Sequence, residues 1–107
     1  MDFELFLIAL FVHLIYDFHL QGDFIATKKA ESDFILSVHC LTWSLFIVLV
    51  LSVFVPISPL WLVFLFLTHF ITDRWKSRLP KNENYFWAIY VDQAIHLLTL
   101  IFLVYFI

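Results

Sequence analysis

The chain has 107 residues, of which 64% are hydrophobic and 14% are charged, and its formal net charge is −3. Soluble domains carry about 25% charged residues, and a domain of this length leaves about a third or more of its unfolded-chain surface in water, so this composition excludes a water-soluble monomer. The length allows a single domain, residues 1–107, and six basic residues are too few for a nucleic-acid partner.

Four apolar runs follow one another along the chain, and each has about the 20 residues that a helix needs to cross about 30 Å of hydrocarbon. Helices are expected because backbone polar groups find no water in lipid. Pro56 and Pro59 bracket a short turn before the third run, and Pro80 ends it. The sequence therefore predicts an all-α integral membrane bundle of four transmembrane helices. The predicted spans are residues 3–20, 34–55, 60–79 and 85–107.

The basic residues predict the orientation of this bundle. All six lie in or beside the first and third connections, whereas the turn between the second and third runs carries no charge. Because basic connections stay in the cytoplasm, both termini are expected outside, an N-out/C-out topology. The six are Lys28, Lys29, Arg74, Lys76, Arg78 and Lys81.

Ionisable side chains interrupt the apolar runs, and each costs about 2.5–3.5 kcal/mol at a helix centre. Three pairs are spaced four residues apart, so both members of a pair lie on one helix face. Counted inward from the cytoplasmic side, all of them lie about 6–18 Å deep, which predicts one shared site. They are His13, Asp17, His39, His69, Asp73, Asp92 and His96.

Four imidazoles and three carboxylates at one depth are typical of a divalent transition metal site, and all seven residues are candidate ligands. Zinc is favoured, and manganese, iron or nickel accept the same ligands. Either one or two metals bind, or some carboxylates orient a ligating histidine. Cys40 follows His39 and is expected to turn away, so the predicted site contains no thiol. A metal-free proton or ion relay would use the same residue types.

The enzyme hypothesis is a metal-dependent hydrolase that acts on a lipid or another ester or phosphoester near the membrane. A metal makes a bound water nucleophilic, and a carboxylate that is not a ligand acts as general base. The candidate catalytic residues are Asp17, Asp73 and Asp92. The candidate substrate-binding residues are Gln21, Arg74 and Lys76.

Two other classes of function stay open. The first is a metal-ion or proton transporter or channel subunit, although the outer halves of the runs offer no polar path through one chain. A homo-oligomer could create such a path, but no GxxxG-type seam indicates an interface. The second is a non-catalytic membrane protein of phage–host interaction.

Four short motifs stand in order along the chain: HLIYDFHLQ from His13, HCLTW from His39, HFITDRWK from His69 and DQAIH from Asp92. Together they resemble the domain-of-unknown-function 3307 family of small membrane proteins from bacteria and their phages. The resemblance implies a multi-pass protein of the bacterial inner membrane without an assigned activity. It adds Gln93 to the polar pattern, although this residue is expected to point to another helix face. A looser similarity to membrane-bound metal-dependent hydrolases is a fold-level analogy.

Overall fold

The computed structural model describes residues 1–107, which form helices and turns without a strand. Five helices follow in order: α1 (Phe3–Ile15), α2 (Asp23–Lys28), α3 (Asp33–Ser52), α4 (Leu60–Ser77) and α5 (Trp87–Phe106). A π-helical turn, Tyr16–Leu20, extends α1, and a 3₁₀ turn, Glu83–Tyr85, precedes α5. The predicted all-α fold is therefore confirmed.

Polar side chains start α3 and α4 close to the predicted positions. The Ser32 hydroxyl accepts a hydrogen bond from the backbone N–H of Ile35 at 3.3 Å. The Ser58 hydroxyl accepts one from the backbone N–H of Leu60 at 3.2 Å, and Pro59 stands between them. Each contact satisfies a backbone donor that the first helical turn leaves free. These caps fix the residues at which α3 and α4 begin.

Three stretches are long and apolar enough to cross a membrane: Phe3–Leu20, Asp33–Ser52 and Glu83–Phe106. The prediction of four such stretches is wrong for the third run, because α4 does not meet the same criterion. Its 18 residues end in a segment that contains three charged side chains, Asp73, Arg74 and Lys76. The apolar part of α4 is thus shorter than its helix.

Large apolar side chains cover the outside of the protein. Phe34 is 76% exposed, Leu60 is 77% exposed, and similar side chains are exposed along every long helix. Soluble monomers rarely present apolar surface on this scale. Together with the three apolar stretches, this surface suggests a membrane protein.

The interior is apolar at one end and polar at the other. The apolar core reaches from Leu5 in α1 to Val104 in α5 and includes Trp43. The buried histidines and acids gather at the opposite end, beyond Trp43. This separation matches the predicted concentration of ionisable groups at one depth. The buried members of this group are His13, His39, His69, Asp73, Asp92 and His96.

The connection between α1 and α3 folds back onto the polar end. Gly22 follows the π-helical turn with φ +82° and ψ 156°, a conformation that is essentially restricted to glycine. It redirects the chain into α2, whose C-terminal cap is Lys29. Lys29 is only 8% exposed, so this lysine is packed inside the protein and does not lie free in a loop.

Candidate metal centre

Four donor atoms from different parts of the chain meet at the polar end of the bundle. The Nε2 atom of His39 lies 3.0 Å from Nε2 of His69 and 3.2 Å from Oδ2 of Asp73. It also lies 3.6 Å from Oδ1 of Asp17. The Nε2 atom of His69 lies 3.6 Å from Asp73 Oδ2 and 3.8 Å from Asp17 Oδ1. We call these four residues the His39 cluster.

The donor–donor distances in the His39 cluster are those of a divalent metal site. Zinc–nitrogen and zinc–oxygen bonds of about 2.0–2.1 Å give a tetrahedron with edges of about 3.3–3.4 Å. Five of its donor–donor distances, 3.0 to 3.8 Å, bracket that value. Asp17, His39 and His69 form one group whose donor atoms all lie within 4.8 Å of one another, and Cys40, His69 and Asp73 form another. The second carboxylate oxygen of Asp73, Oδ1, is buried without a hydrogen-bond partner, which is costly unless a cation lies near. The cluster could therefore hold a metal ion.

Cys40 lies beside this cluster, so the expectation that it turns away is wrong. Its sulfur and the donor atoms of His69 and Asp73 all lie within 4.8 Å of one another. Neighbouring residues differ by only about 100° around a helix, so His39 and Cys40 can both face the adjacent α4. Cys40 is therefore a candidate ligand that was not predicted, since a thiolate is a known zinc ligand.

A second group of polar side chains is connected by hydrogen bonds. The indole N–H of Trp43 donates to Nδ1 of His13 at 3.1 Å. Because indole can only donate, the proton of His13 is on Nε2, which donates to Oε1 of Gln93 at 3.0 Å. The Gln93 amide donates to Oδ2 of Asp92 at 2.9 Å. We call His13, Asp92, Gln93 and His96 the Asp92 cluster.

This chain of hydrogen bonds assigns roles that the sequence did not reveal. Both ring nitrogens of His13 are used in hydrogen bonds, so His13 orients Gln93 and does not point a free nitrogen at a metal. Gln93 was expected to point to another helix face. It nevertheless reaches Asp92, because its side chain is long enough to curve around the helix. The Trp43 donor was not predicted, since its role depends on packing against α1.

Asp92 contacts two more residues and lies next to the His39 cluster. Its Oδ2 atom lies 3.2 Å from Nζ of Lys76, and its Oδ1 atom lies 3.1 Å from Nε2 of His96. The imidazole of His96 stacks on that of His69, with ring centroids 4.4 Å apart. The predicted single site is thus two adjoining clusters.

A polar cavity of about 160 Å³ lies between the two clusters. Asp17 and Asp73 of the His39 cluster line it together with Asp92 and His96 of the Asp92 cluster, whereas His39 and His69 are not part of its wall. This volume admits water, and the polar lining supplies the partners that buried water needs. The other polar residues of its wall are Gln21, Lys29, Lys76 and Gln93.

Two of the three predicted substrate-binding residues line this cavity, and Arg74 does not. The Nε atom of Arg74 lies 3.2 Å from Oδ1 of Asp33, on the outside of the bundle. Arg74 and Lys76 are two residues apart, which is about 200° around a helix, so they face in opposite directions. The structure therefore gives Arg74 a surface ion pair.

Lys29 is the functional candidate that the sequence analysis missed. Its Nζ atom lies 2.9 Å from Oδ2 of Asp73 and 2.8 Å from Oε1 of Gln21. Lys28, the preceding residue, is exposed and pairs with Glu31 at 3.3 Å. The two lysines look alike in the sequence, and only the path of α2 separates them.

One comparison with known proteins gives a match. The family model described as "Protein of unknown function (DUF3307)" covers residues 5–107. No curated protein and no solved structure matches the chain. The resemblance drawn from the four motifs is confirmed, whereas the looser similarity to metal-dependent hydrolases has no support among these comparisons.

Proposed function

The chain belongs to the DUF3307 family, whose description assigns no activity, and we propose from the site itself a membrane-embedded, metal-dependent hydrolase. The observation that carries this proposal is the set of five donor–donor distances in the His39 cluster, which suits one divalent metal. The substrate would be an ester or phosphoester where lipid headgroups meet acyl chains.

In this proposal all four long helices cross a bacterial inner membrane, with both termini outside. Each charged residue that sets α4 apart lies within 3.2 Å of an opposite charge on another part of the chain. Such pairing lowers the cost of bringing these charges into or beside the membrane. The pairs are Asp73 with Lys29, Arg74 with Asp33, and Lys76 with Asp92. The basic connections would face the cytoplasm.

The proposed metal ligands are Asp17, His39, His69 and Asp73, with zinc favoured. A bound metal of this kind would make a coordinated water nucleophilic at neutral pH. Ring packing supports the orientation of His69, whose imidazole stacks on Trp43 at 4.2 Å and on His96 at 4.4 Å between centroids. Cys40 is a further candidate ligand, because its sulfur lies within reach of the same donors.

Asp92 is the carboxylate that remains for proton transfer. It lines the polar cavity together with Asp17 and Asp73 of the His39 cluster, so a water molecule there can contact these carboxylates. Gln93 and Lys76 donate to its Oδ2 atom, and His96 lies 3.1 Å from its Oδ1 atom. These contacts keep the Asp92 carboxylate ionised and fixed in position beside the cavity, and we assign to it the role of general base, with a positioning role for His13 and Gln93.

The transporter alternative finds less support in the interior of the bundle. On the side of Trp43 that is away from the two clusters, the core side chains are apolar. Ile47, Leu51 and Leu103 are fully buried examples. A conducting path would need polar groups or water through that half. A hydrolase needs access from one side only.

The first experiment is elemental analysis of the purified protein in detergent. We expect about one transition metal per chain, and loss of that metal in His39→Ala and His69→Ala. His19→Ala is the matched control, because His19 is exposed and outside both clusters. A wild-type protein that binds no transition metal after incubation with zinc, manganese, iron or nickel would overturn the whole proposal.

The second experiment separates metal binding from hydrolysis. Asp92→Asn should keep the metal and lose turnover of carboxylester or phosphoester lipids in vesicles, by about 100-fold or more. Metal-loaded wild type that cleaves neither class of lipid would leave a metal-binding protein and exclude the hydrolase.

A further inference from the structure

A second cavity, of about 380 Å³, adjoins the polar cavity at its Lys29 and Lys76 wall. We call it the vestibule. Three lysines line it, Lys29, Lys76 and Lys81, and no acidic side chain does. Gln21, Lys29 and Lys76 line both cavities, so these three side chains stand where the vestibule meets the proposed active site. An opening of this kind suits an anion.

We propose that the vestibule binds a phosphate group, and that Lys29 joins this binding when a divalent metal occupies the His39 cluster. The second part rests on the proposed function, since it requires the metal site. The phosphate could belong to a lipid headgroup or to a soluble phosphate, because both offer the same oxygens to ammonium groups.

Lys29 and the proposed metal use the same oxygen. The Nζ atom of Lys29 lies 2.9 Å from Asp73 Oδ2, which itself lies 3.2 Å from Nε2 of His39. A divalent cation held by that oxygen competes with the ammonium group for its lone pairs and repels it. Lys29 already lines the vestibule, so the vestibule is the space into which a released ammonium group can turn.

The local charge supports the same coupling. Three carboxylates, Asp17, Asp73 and Asp92, line the polar cavity together with two ammonium groups, Lys29 and Lys76. A divalent cation changes this excess of one negative charge into an excess of one positive charge. An anion beside the cavity is then attracted where it was repelled before.

The vestibule wall also supplies neutral groups that fit a phosphate attached to a lipid. The Asn82 side-chain oxygen accepts the backbone N–H of Asn84 at 3.0 Å, which leaves its amide N–H groups available to donate. Apolar side chains, Phe86 and Ile89, complete the wall and could contact an acyl chain. Lys81 adds a charge that no acidic residue in this wall neutralises.

The test measures two affinities in the same variants. Binding of inorganic phosphate and of short-chain phosphatidic acid is titrated in a phosphate-free detergent, with and without one equivalent of Zn²⁺, and Zn²⁺ affinity is titrated separately. We expect Zn²⁺ to tighten binding of at least one phosphate probe by about tenfold. Lys81→Gln should weaken that binding by about tenfold with or without Zn²⁺.

Lys29→Gln carries the sharper expectation, because its two effects have opposite signs. It should raise Zn²⁺ affinity by about tenfold, since a competing cation is removed, and reduce the Zn²⁺-dependent gain in phosphate binding to the part that comes from the metal charge alone. A misfolded variant would lose both affinities. Lys28→Gln is the matched control and should change neither, because Lys28 is exposed and its ammonium group pairs with Glu31.

The outcomes separate this inference from the proposed function. If the wild type binds Zn²⁺ but neither phosphate probe, the vestibule site is wrong and the metal site stands. If Lys29→Gln behaves like Lys28→Gln, the coupling through Lys29 is wrong. If the wild type binds no metal, the proposed function fails, and the Lys81→Gln comparison without metal still decides whether the vestibule binds phosphate. Binding of phosphatidic acid alone identifies a headgroup site, and equal binding of inorganic phosphate identifies a soluble anion.

Discussion

The indole ring of Trp43 stacks on the imidazole of His69, with ring centroids 4.2 Å apart and planes inclined by 28°. The same indole donates its N–H to Nδ1 of His13 at 3.1 Å, and it belongs to the apolar core. One fully buried side chain therefore contacts both clusters and forms the end of the apolar core that lies next to them. The contributions of its ring and of its N–H to the free energy of unfolding can be measured separately.

Trp43→Phe should keep most of the ring contact with His69 and lose the hydrogen bond to His13. Leaving the buried Nδ1 of His13 unpaired costs about 1–3 kcal/mol. Trp43→Ala also opens a cavity, which brings the expected loss to about 3–5 kcal/mol. Reversible unfolding in mixed detergent micelles measures both values. Trp75→Phe, at a more exposed position, should stay within about 0.5 kcal/mol, and equal losses for Trp43→Phe and Trp43→Ala would contradict a separate role for the N–H.

The sequence predicted most of the fold because the signals are local. Apolar runs, prolines and a serine cap define helix ends within a few residues, and spacing by four residues pairs His13 with Asp17 and Asp92 with His96. Depth along a helix follows from counting. These features depend on neighbours in the chain, so they can be predicted without knowing how the helices pack.

The division into two clusters could not be predicted in this way. Which nitrogen of His13 carries the proton depends on Trp43 in another helix, and the role of Lys29 depends on the path of α2 after Gly22. Cys40 and His39 differ by one position, and only the side from which α4 packs decides that both approach the site. Each of these facts is a property of tertiary contacts.

Gly22→Ala tests whether the turn before α2 is required for the site. A Cβ atom at Gly22 would meet nothing within 4 Å, so its cost comes from the backbone conformation alone. With φ at +82° and ψ at 156° that cost is about 1–3 kcal/mol, and relief of the strain would move Lys29 away from Asp73. Unfolding in detergent measures the loss, and Thr27→Ala in α2 serves as the exposed control. Unchanged stability would show that the turn tolerates other conformations.

Removal of the metal should lower the stability of the folded protein. A ligand present at 100 times its dissociation constant stabilises the state that binds it by about 2.7 kcal/mol. We therefore expect EDTA to lower the melting temperature of the zinc-loaded protein, with recovery on adding Zn²⁺. Asp73→Asn should show a much smaller response, because it removes a ligand charge, whereas Asp23→Asn in α2 should respond like the wild type. A response in Asp73→Asn equal to that of the wild type would exclude Asp73 as a ligand.

Labelling of single cysteines tests whether α4 crosses the membrane. Ser58 precedes α4 and Glu83 follows it in the second basic connection, and both are exposed. If all four long helices cross with the basic connections inside, a membrane-impermeant maleimide should label Ser58→Cys on intact cells and Glu83→Cys only after permeabilisation. The native Cys40 is fully buried and should stay unlabelled in the folded protein, which makes it an internal control. Labelling of both introduced cysteines from the same side would mean that α4 does not cross the bilayer, since α4 alone separates Ser58 from Glu83.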